Sequence, residues 1–520
     1  MSNQLIIQIF TTISIILFAF FRLRVLMLFF QQEEYKGSWF LKLCFKNLKL
    51  IDKKSVFVIT LIWAFSLINR LFIFLIAPVL IIFIILENRF LKKAKKHLNI
   101  TTRVKRIFSV AICLTIITSI LLSFYSWIVN YLLVIELLPF ILVLGNLTLS
   151  PIEKHIQKKY LNEAKEILAK YKPIVIGITG SFGKTSTKHI LAHILSGNLP
   201  VLLTPGSVNT EMGICRIIRE KLQPEHKYFI VEMGAYFKGS IEKLCKFVNP
   251  QHGIITAVGQ CHYEHFKTQE TIAKAKFELG EWVAKNDGIL IVNTDQINKE
   301  FIPTDMKLIK IGQGQNIFIS DVKQERNGLY FKYHNNNNTT DIFAPIFGEH
   351  HAQNIAIAIT LALQLGMSMS TITSMLKTLP QVNHRLEVKK VANDVLLIDD
   401  AYNSNPQGFK SAIDLLATLK TTRNILITPG MVELGKKHDE EHYKIGKYVG
   451  EKVDIVISIL TERMPTFKKG FKETSKKGQK FIELPSFAEA TKWMEKNTQT
   501  GDVILLENDL PDVYESDIVL

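Results

Sequence analysis

At 520 residues the chain is long enough for several domains, each with its own core. Its formal net charge of +16 invites a polyanionic partner, but the soluble part lacks the basic stripes interleaved with aromatics that nucleic-acid binders carry, so nucleic acid is set aside. The five cysteines, Cys44, Cys113, Cys215, Cys245 and Cys261, form neither a CxxC pair nor a framework spacing, which fits a reduced, cytoplasmic soluble part.

Apolar residues crowd into the first 150 positions, in three blocks: Leu5 to Phe21, about Ile51 to Leu86, and Ile107 to about Leu149. The first is about one bilayer crossing long at ~1.5 Å rise per residue. Arg22 and Arg24 follow it where a cleavage site would need small residues, so it reads as an anchor. The second and third blocks read as hairpins, turning at Asn69-Arg70 and Asn130-Tyr131. The segment Arg89–Arg106 carries eight Lys/Arg and no acid, and Gln31–Lys54 carries six Lys against three acids. Both belong on the cytoplasmic side under the positive-inside bias, with an even number of crossings between them. The expectation is a multi-pass membrane protein: about five transmembrane helices over 1–150, a helical connector over 151–171, and a soluble part on the cytoplasmic side. Three crossings with re-entrant segments is the alternative. Trp39–Leu50 suits an interfacial helix or a plain loop, and Glu136 is an acid inside the last block, either functional or facing the bundle.

Beyond the connector, Pro173–Ile178 is a β-branched run that reads as a buried strand. It enters Thr179–Thr187, TGSFGKTST, and then an apolar-periodic helix, His189–Leu195. Strand, glycine-rich turn and helix are the setting of a phosphate loop: glycines let backbone N–H groups approach phosphates, the helix N-terminus favours negative charge, and lysine reaches the outer phosphates. Gly180, Ser181, Gly183, Lys184, Thr185 and Ser186 are therefore the nucleotide-binding candidates, with the Thr185 hydroxyl offered to Mg²⁺. The strict pattern G-x-x-x-x-G-K-[ST] is not met, because Ile178 holds its first glycine position. A second strand, Phe229–Val231, ends in Glu232, a carboxylate well placed for Mg²⁺.

Several motifs then appear in a telling order: Thr204–Gly213, Glu232–Ala235, Gly259–Phe266, Ile272–Glu278, Gly348–Asn354, Asn383–Glu387, Asp399–Pro406 and Thr428–Gly435. With TGSFGKTST they resemble the Mur ligase family, the ATP-dependent amide-forming enzymes of bacterial cell-wall synthesis, and most of all its D-alanyl-D-alanine-adding branch. The resemblance runs from about residue 172 to the C-terminus. It implies an α-helical membrane region followed by α/β parts: a P-loop central ATPase-type domain over 172–380 and a Rossmann-like C-terminal domain over 381–520. It also implies two Mg²⁺ ions held by Thr185, Glu232, His262 and a carbamylated Lys276, with catalytic contributions from Lys184, Lys276, His262 and Arg385. His350 and Asn354 would contact the adenine, Arg385 the phosphates, and Asp400 and Asn403 the ribose. Lys274, two residues before Lys276, points elsewhere on a helix. Thr204–Gly213 would face the acceptor substrate.

This chain departs from that pattern at three places. His351 stands where the family has asparagine. Pro429-Gly430-Met431 replaces Gly-Asp-Met, and the last strand runs into Glu507-Asn508-Asp509 where Lys-Gly-Ser is usual. The last two fall in the domain that receives the incoming amine. The implied reaction activates a carboxylate with the γ-phosphate of ATP, and an amine then attacks the acyl phosphate. Membrane helices stand where the family holds the UDP part of its precursor. The expected acceptor is thus a peptidoglycan-type or lipid-linked precursor beside membrane lipids, and the donor an amino acid or dipeptide amine. A ligase of another membrane-associated polymer, such as poly-γ-glutamate or capsule, and a membrane ATPase acting in transport or regulation are the competing readings.

Overall fold

The computed structural model describes residues 3–46, 53–93, 97–235, 237–259, 268–304, 306–401, 404–432 and 434–508. The chain divides into two units, one within residues 1–158 and one within 159–509.

The first unit is helical: Asn3–Gln32, Gly37–Lys46, Lys53–Ile68, Ile76–Lys93, Thr102–Ser123 and the start of Trp127–Tyr171. Among the described residues four helices are long and apolar enough to cross a membrane, and Lys54–Ile68 is apolar but shorter. The expectation of about five transmembrane helices meets four long helices and a short one. Asn69 causes the difference: its side chain accepts the Leu71 N–H and caps a turn of 3₁₀ helix, Arg70–Leu75, so the preceding helix stops after 16 residues.

Three further observations bear on the expectations for this unit. The third block turns at residues 124–126, ahead of Asn130-Tyr131. Asn130 is fully buried inside the following helix, where its Oδ1 accepts the Ser119 hydroxyl at 3.0 Å across the hairpin; that buried partner takes the place of the solvent a turn would offer. Residues 151–171 are helical, as the last part of a helix that runs unbroken from Trp127 to Tyr171 with Pro139 and Pro151 inside it. Arg22 does not flank an anchor that ends at Phe21. It lies buried within Asn3–Gln32 and pairs with Glu87 of Ile76–Lys93 at 2.6 Å. A buried ion pair fixes the register of the two helices, since losing either partner would leave an uncompensated charge. Glu136 lies on an exposed part of its helix, away from the buried core.

The second unit holds two mixed sheets. The first contains β1 (Ile174–Thr179), β2 (Val201–Leu203), β3 (Tyr228–Glu232), β4 (His252–Ile255), β5 (Leu290–Asn293), β6 (Ile309–Ile311), β7 (Ile317–Glu325), β8 (Gly328–Asn335) and β9 (Asn338–Ala344), in the order β2-β3-β1-β4-β5-β6-β7-β8-β9. Its strands run parallel up to the β6–β7 contact and antiparallel through β7–β9. Alternate residues of β1 and β3 feed two cores. Ile176, Ile178 and Ile230 pack beneath Lys184–Ser196 and His351–Gln364; Val175, Phe229 and Val231 pack beneath Glu211–Lys221, Ser240–Val248 and Gln269–Lys285. Burial on both faces is why these strands read as continuous apolar runs. The polar turn at Asn335–Asn338 joins β8 to β9, with Asn336 in the left-handed region that asparagine tolerates.

One packing device was not legible as such. Glu278 is buried in Gln269–Lys285 and accepts the N–H groups of Gly239 at 2.6 Å, Ile241 at 3.2 Å and Glu242 at 3.0 Å. It supplies, from another helix, the anionic cap that Gly239 cannot give to Ser240–Val248. Glu278→Ala is expected to cost about 1–3 kcal/mol, read as a lower thermal unfolding midpoint of the detergent-solubilised chain.

The second sheet contains β10 (Glu387–Lys390), β11 (Leu396–Asp400), β12 (Asn424–Thr428), β13 (Ile455–Ile459), β14 (Lys480–Leu484) and β15 (Val503–Glu507), in the order β10-β11-β15-β12-β13-β14. All neighbours are parallel except β10 with β11. The return of β15 between β11 and β12 puts Asp400 and Glu507 side by side at the carboxyl edge.

Candidate active site

In the first sheet the chain leaves β1 toward β2 on one side and β4 toward β5 on the other. Between two such strands a crevice opens at the carboxyl ends, and residues 180–183 occupy it. They are pinned to the segment after β4. The Ser181 N–H donates to Ala257 O at 2.9 Å, the Thr256 hydroxyl to Phe182 O, and Ser181 Oγ both donates to and accepts from the Gly259 backbone, at 3.0 and 2.9 Å. A Cβ on Gly180 would lie 1.9 Å from Thr256 Oγ1, and Gly183 opens the helix Lys184–Ser196 at φ +81°; both positions demand glycine. Ile178, at the first glycine position of the strict pattern, is fully buried core of β1, so the turn simply begins later.

Lys184 folds back over this turn, donating to Gly180 O at 2.7 Å and Ser181 O at 3.4 Å. Thr185 reaches toward β3, its hydroxyl donating to Glu232 Oε2 at 3.0 Å. The same oxygen accepts from Lys188 Nζ at 2.9 Å, and Lys188 also donates to Gly206 O. Glu232 Oε1 accepts from Asn209 Nδ2 at 3.4 Å, and the Glu232 N–H donates to Thr204 Oγ1 at 3.1 Å. One buried carboxylate thus ties the glycine-rich turn to the segment Thr204–Gly213. A hydroxyl and a carboxylate converging in this way are the oxygen donors a hard divalent cation prefers.

Sequence reasoning passes over Lys188, which is fully buried. Burial pulls its pKa down and the Glu232 charge opposes the fall. The signal was its place, one turn after Lys184 and inside a run of core residues. Lys276 is buried in Gln269–Lys285, whereas Lys274 is exposed and pairs with Glu270 at 2.7 Å. His262 and Asn403 lie outside the described residues.

Beside the turn is a cavity of about 400 Å³, a size that suits a small molecule. Gly183, Ser186, His350 and Asn354 line it from the first sheet's side, and Arg385 and Asp400 from the second's. Asn354 accepts the Thr187 hydroxyl at 3.2 Å and meets His351 Nδ1 at 3.2 Å, so His351 braces the asparagine rather than replacing a contact. Burial holds His351 well below its ordinary value, with His350 and Arg385 acting in the same direction.

Arg385 sits in a tight turn between His384 and Leu386, both at positive φ. His384 Nδ1 pairs with Asp399 at 2.9 Å, and the Leu386 N–H donates to Asp400 Oδ1 at 3.2 Å. His384, Glu387 and Asp399 could converge on a cation, but Lys389 already bridges the two acids at 2.9 and 3.1 Å. The two departures in the second sheet's loops touch each other: Asn508 Nδ2 donates to Gly430 O at 2.6 Å and the Asn508 N–H to Asp400 O at 3.1 Å. His442 Nε2 accepts the Met431 N–H at 2.9 Å and holds that loop.

Residues 178–362 match the Mur ligase middle domain, and residues 384–507 match the Mur ligase glutamate ligase domain. The chain belongs to the Mur ligase family. The UDP-N-acetylmuramoyl-tripeptide–D-alanyl-D-alanine ligase of Bacillus subtilis (strain 168) is 30% identical over 299 residues, 57% of this chain and 64% of the relative. That of Escherichia coli (strain K12) is 28% identical over 292 residues, 55% and 64%. This Mur ligase thus spans a little under two thirds of the length of these relatives. Among solved structures, MurF from Acinetobacter baumannii superposes with a TM-score of 0.59 at 26% identity, covering 69% of this chain and 78% of that one. MurF from Thermotoga maritima in complex with ADP gives 0.60 at 25% identity, covering 69% and 81%.

Proposed function

We propose that this Mur ligase is an ATP-dependent, ADP-forming carboxylate–amine ligase acting on a peptidoglycan precursor. The observation that carries the reading is the Glu232 carboxylate, which gathers Thr185 of the glycine-rich turn and Asn209 of the acceptor-facing segment on one group. Read as a P-loop, residues 180–186 grip the polyphosphate in the central domain (172–380), and a Rossmann-like C-terminal domain (381–520) closes on it. His350 and Asn354 then lie at the adenine, Arg385 at the phosphates, and Asp400 with Asn403 at the ribose.

The γ-phosphoryl group passes to the acceptor carboxylate, releasing ADP. The amine attacks the acyl carbonyl, inorganic phosphate leaves, and an amide remains. Lys184, the turn's N–H groups and Arg385 face the charge that develops on the transferring group, the usual means of catalysing phosphoryl transfer. Mg²⁺ supplies charge neutralisation when bound; Thr185 and Glu232 fit one ion, and His262 with a carbamylated Lys276 would complete a pair.

The B. subtilis and E. coli relatives are named for UDP-N-acetylmuramoyl-tripeptide and D-alanyl-D-alanine. The donor is an amino acid or a D-alanyl-D-alanine-like dipeptide, and the changes at Pro429–Met431 and Glu507–Asn508 make the choice between them the point to test. The apolar N-terminal helices, joined by lysine-rich segments, support a multi-pass anchor in the bacterial cytoplasmic membrane, with the ligase in the cytoplasm and a lipid-linked acceptor.

The test is ADP release by detergent-purified protein, with UDP-linked and lipid-linked muramyl peptides crossed with a panel of amino acids and dipeptides. ADP should appear only when acceptor and amine are both present. Amine-independent release would favour a transport ATPase, and activity confined to UDP-linked peptide would remove the lipid-linked acceptor. In the same assay Lys276→Ala is expected to lower the rate by about 10²-fold or more.

A further inference from the structure

β11 and β15 bring two acids into register, Asp400 opposite Glu507. Asp400 lines the cavity, while Glu507 is fully buried behind it. Glu507 Oε1 accepts the Ser404 hydroxyl. Glu507 Oε2 is sealed from solvent and meets no N–H or hydroxyl donor among the described residues, while the strand register sets the Asp400 and Glu507 carboxyls beside each other, where each acts on the other's charge. Two ionised carboxylates so placed would be acceptor against acceptor, desolvated and repelling. A single proton removes both penalties, because one carboxyl then donates to the other.

The surrounding groups are consistent with one proton held by the pair. Arg385 is the cation facing Asp400, the Leu386 N–H occupies Asp400 Oδ1, and Asp399 adds a negative charge shared with His384 and Lys389. Burial pushes Asp400 up to about 6 and Glu507 well above its ordinary value, as coupled acids require.

We infer that Glu507 is the positioning residue of Asp400: the two carboxyls hold one proton between them, which orients Asp400 at the cavity wall and keeps the pair at a single negative charge beside the nucleotide. The inference rests on the cavity being the nucleotide site. When the pair loses its proton, a second negative charge faces the polyphosphate and affinity falls. Stability follows the same proton. A carboxyl whose folded pKa is raised contributes stability that is fully present below its unfolded value, ~4, and is lost as pH rises through the folded value, which for the retained proton is that of Glu507, held well above the ordinary carboxylate range by burial and the Asp400 charge.

Calorimetric titration of ADP into the full-length protein in detergent, from pH 5.5 to 8.5, compares the native chain with Glu507→Gln and Asp400→Asn. The native Kd should weaken toward high pH by about tenfold more than in either variant, the effect of one further charge in a partly screened cleft; ADP's own titration is common to all three and cancels. Thermal midpoints should converge at pH 5 and separate at pH 8, with Glu507→Gln the more stable there. Equal pH slopes in Kd for the native chain and Glu507→Gln, or an unchanged midpoint profile, would overturn the inference. ADP that binds none of the three would instead remove the nucleotide reading, while the midpoint profile still reports on the pair. If Glu507→Gln does not fold, Asp400→Asn supplies both comparisons.

Discussion

Lys184→Ala is expected to cut amine-dependent ADP release by at least about 10²–10³-fold, the cost of removing one donor aimed at developing charge, while the thermal midpoint stays within a few degrees of the native one. The two effects separate because the turn does not depend on the lysine for its shape. The hydrogen bonds of Lys184 to Gly180 O and Ser181 O are each worth about 1 kcal/mol net. Ser181 with Ala257 and Gly259, and Thr256 with Phe182, hold the same residues independently. What the substitution removes is the positive charge set over the turn. Measuring kcat/KM for ATP alongside the unfolding midpoint checks both halves. A variant that keeps a tenth of the native rate would place the transferring phosphoryl elsewhere, and one that unfolds would show that the lysine supports the loop rather than the chemistry.

The parts of the fold that could be read directly are those whose signal is local. β1 and β3 are β-branched runs buried on both faces, and the Asn335–Asn338 hairpin announces itself by residues that tolerate the left-handed region. The helical unit was harder for a physical reason. A polar residue in an apolar block either ends the helix or finds a buried partner, and spacing alone does not distinguish these. Asn69 ends one and caps the next turn. Asn130 and Arg22 found partners instead, Ser119 and Glu87, the second 65 residues away in sequence. The site divides in the same manner. Thr185 and Glu232 were legible because a strand end and a glycine turn have a fixed geometric meaning. Lys188 was not, because a lysine on a helix is ordinarily exposed and only the tertiary fold shows this one sealed against a carboxylate. Glu507 stood out in the sequence as a departure; its meaning required the neighbouring strand that carries Asp400.

Lys188→Met should be the most destabilising single change in the catalytic unit. Lys188 and Glu232 form an ion pair with neither side chain more than 2% exposed, and removing one member of such a pair costs about 3–5 kcal/mol because the other is left as a buried charge. The Thr185 and Asn209 hydrogen bonds remain on Glu232, but they are neutral donors and offset only part of that cost. The expected result is a midpoint lowered by roughly 5–15 °C, taking a few degrees per kcal/mol for a domain of this size. A divalent cation held by Thr185 and Glu232 would restore the missing positive charge at the same oxygen. Mg²⁺ should therefore raise the variant's midpoint by more than it raises that of the native chain, where Lys188 already occupies the carboxylate. Lys188→Met combined with Glu232→Gln should recover part of the lost stability and abolish the enhanced Mg²⁺ response. Equal Mg²⁺ responses in the native and single-variant proteins would mean that the ion does not bind at Glu232, even if the stability loss itself were as large as expected.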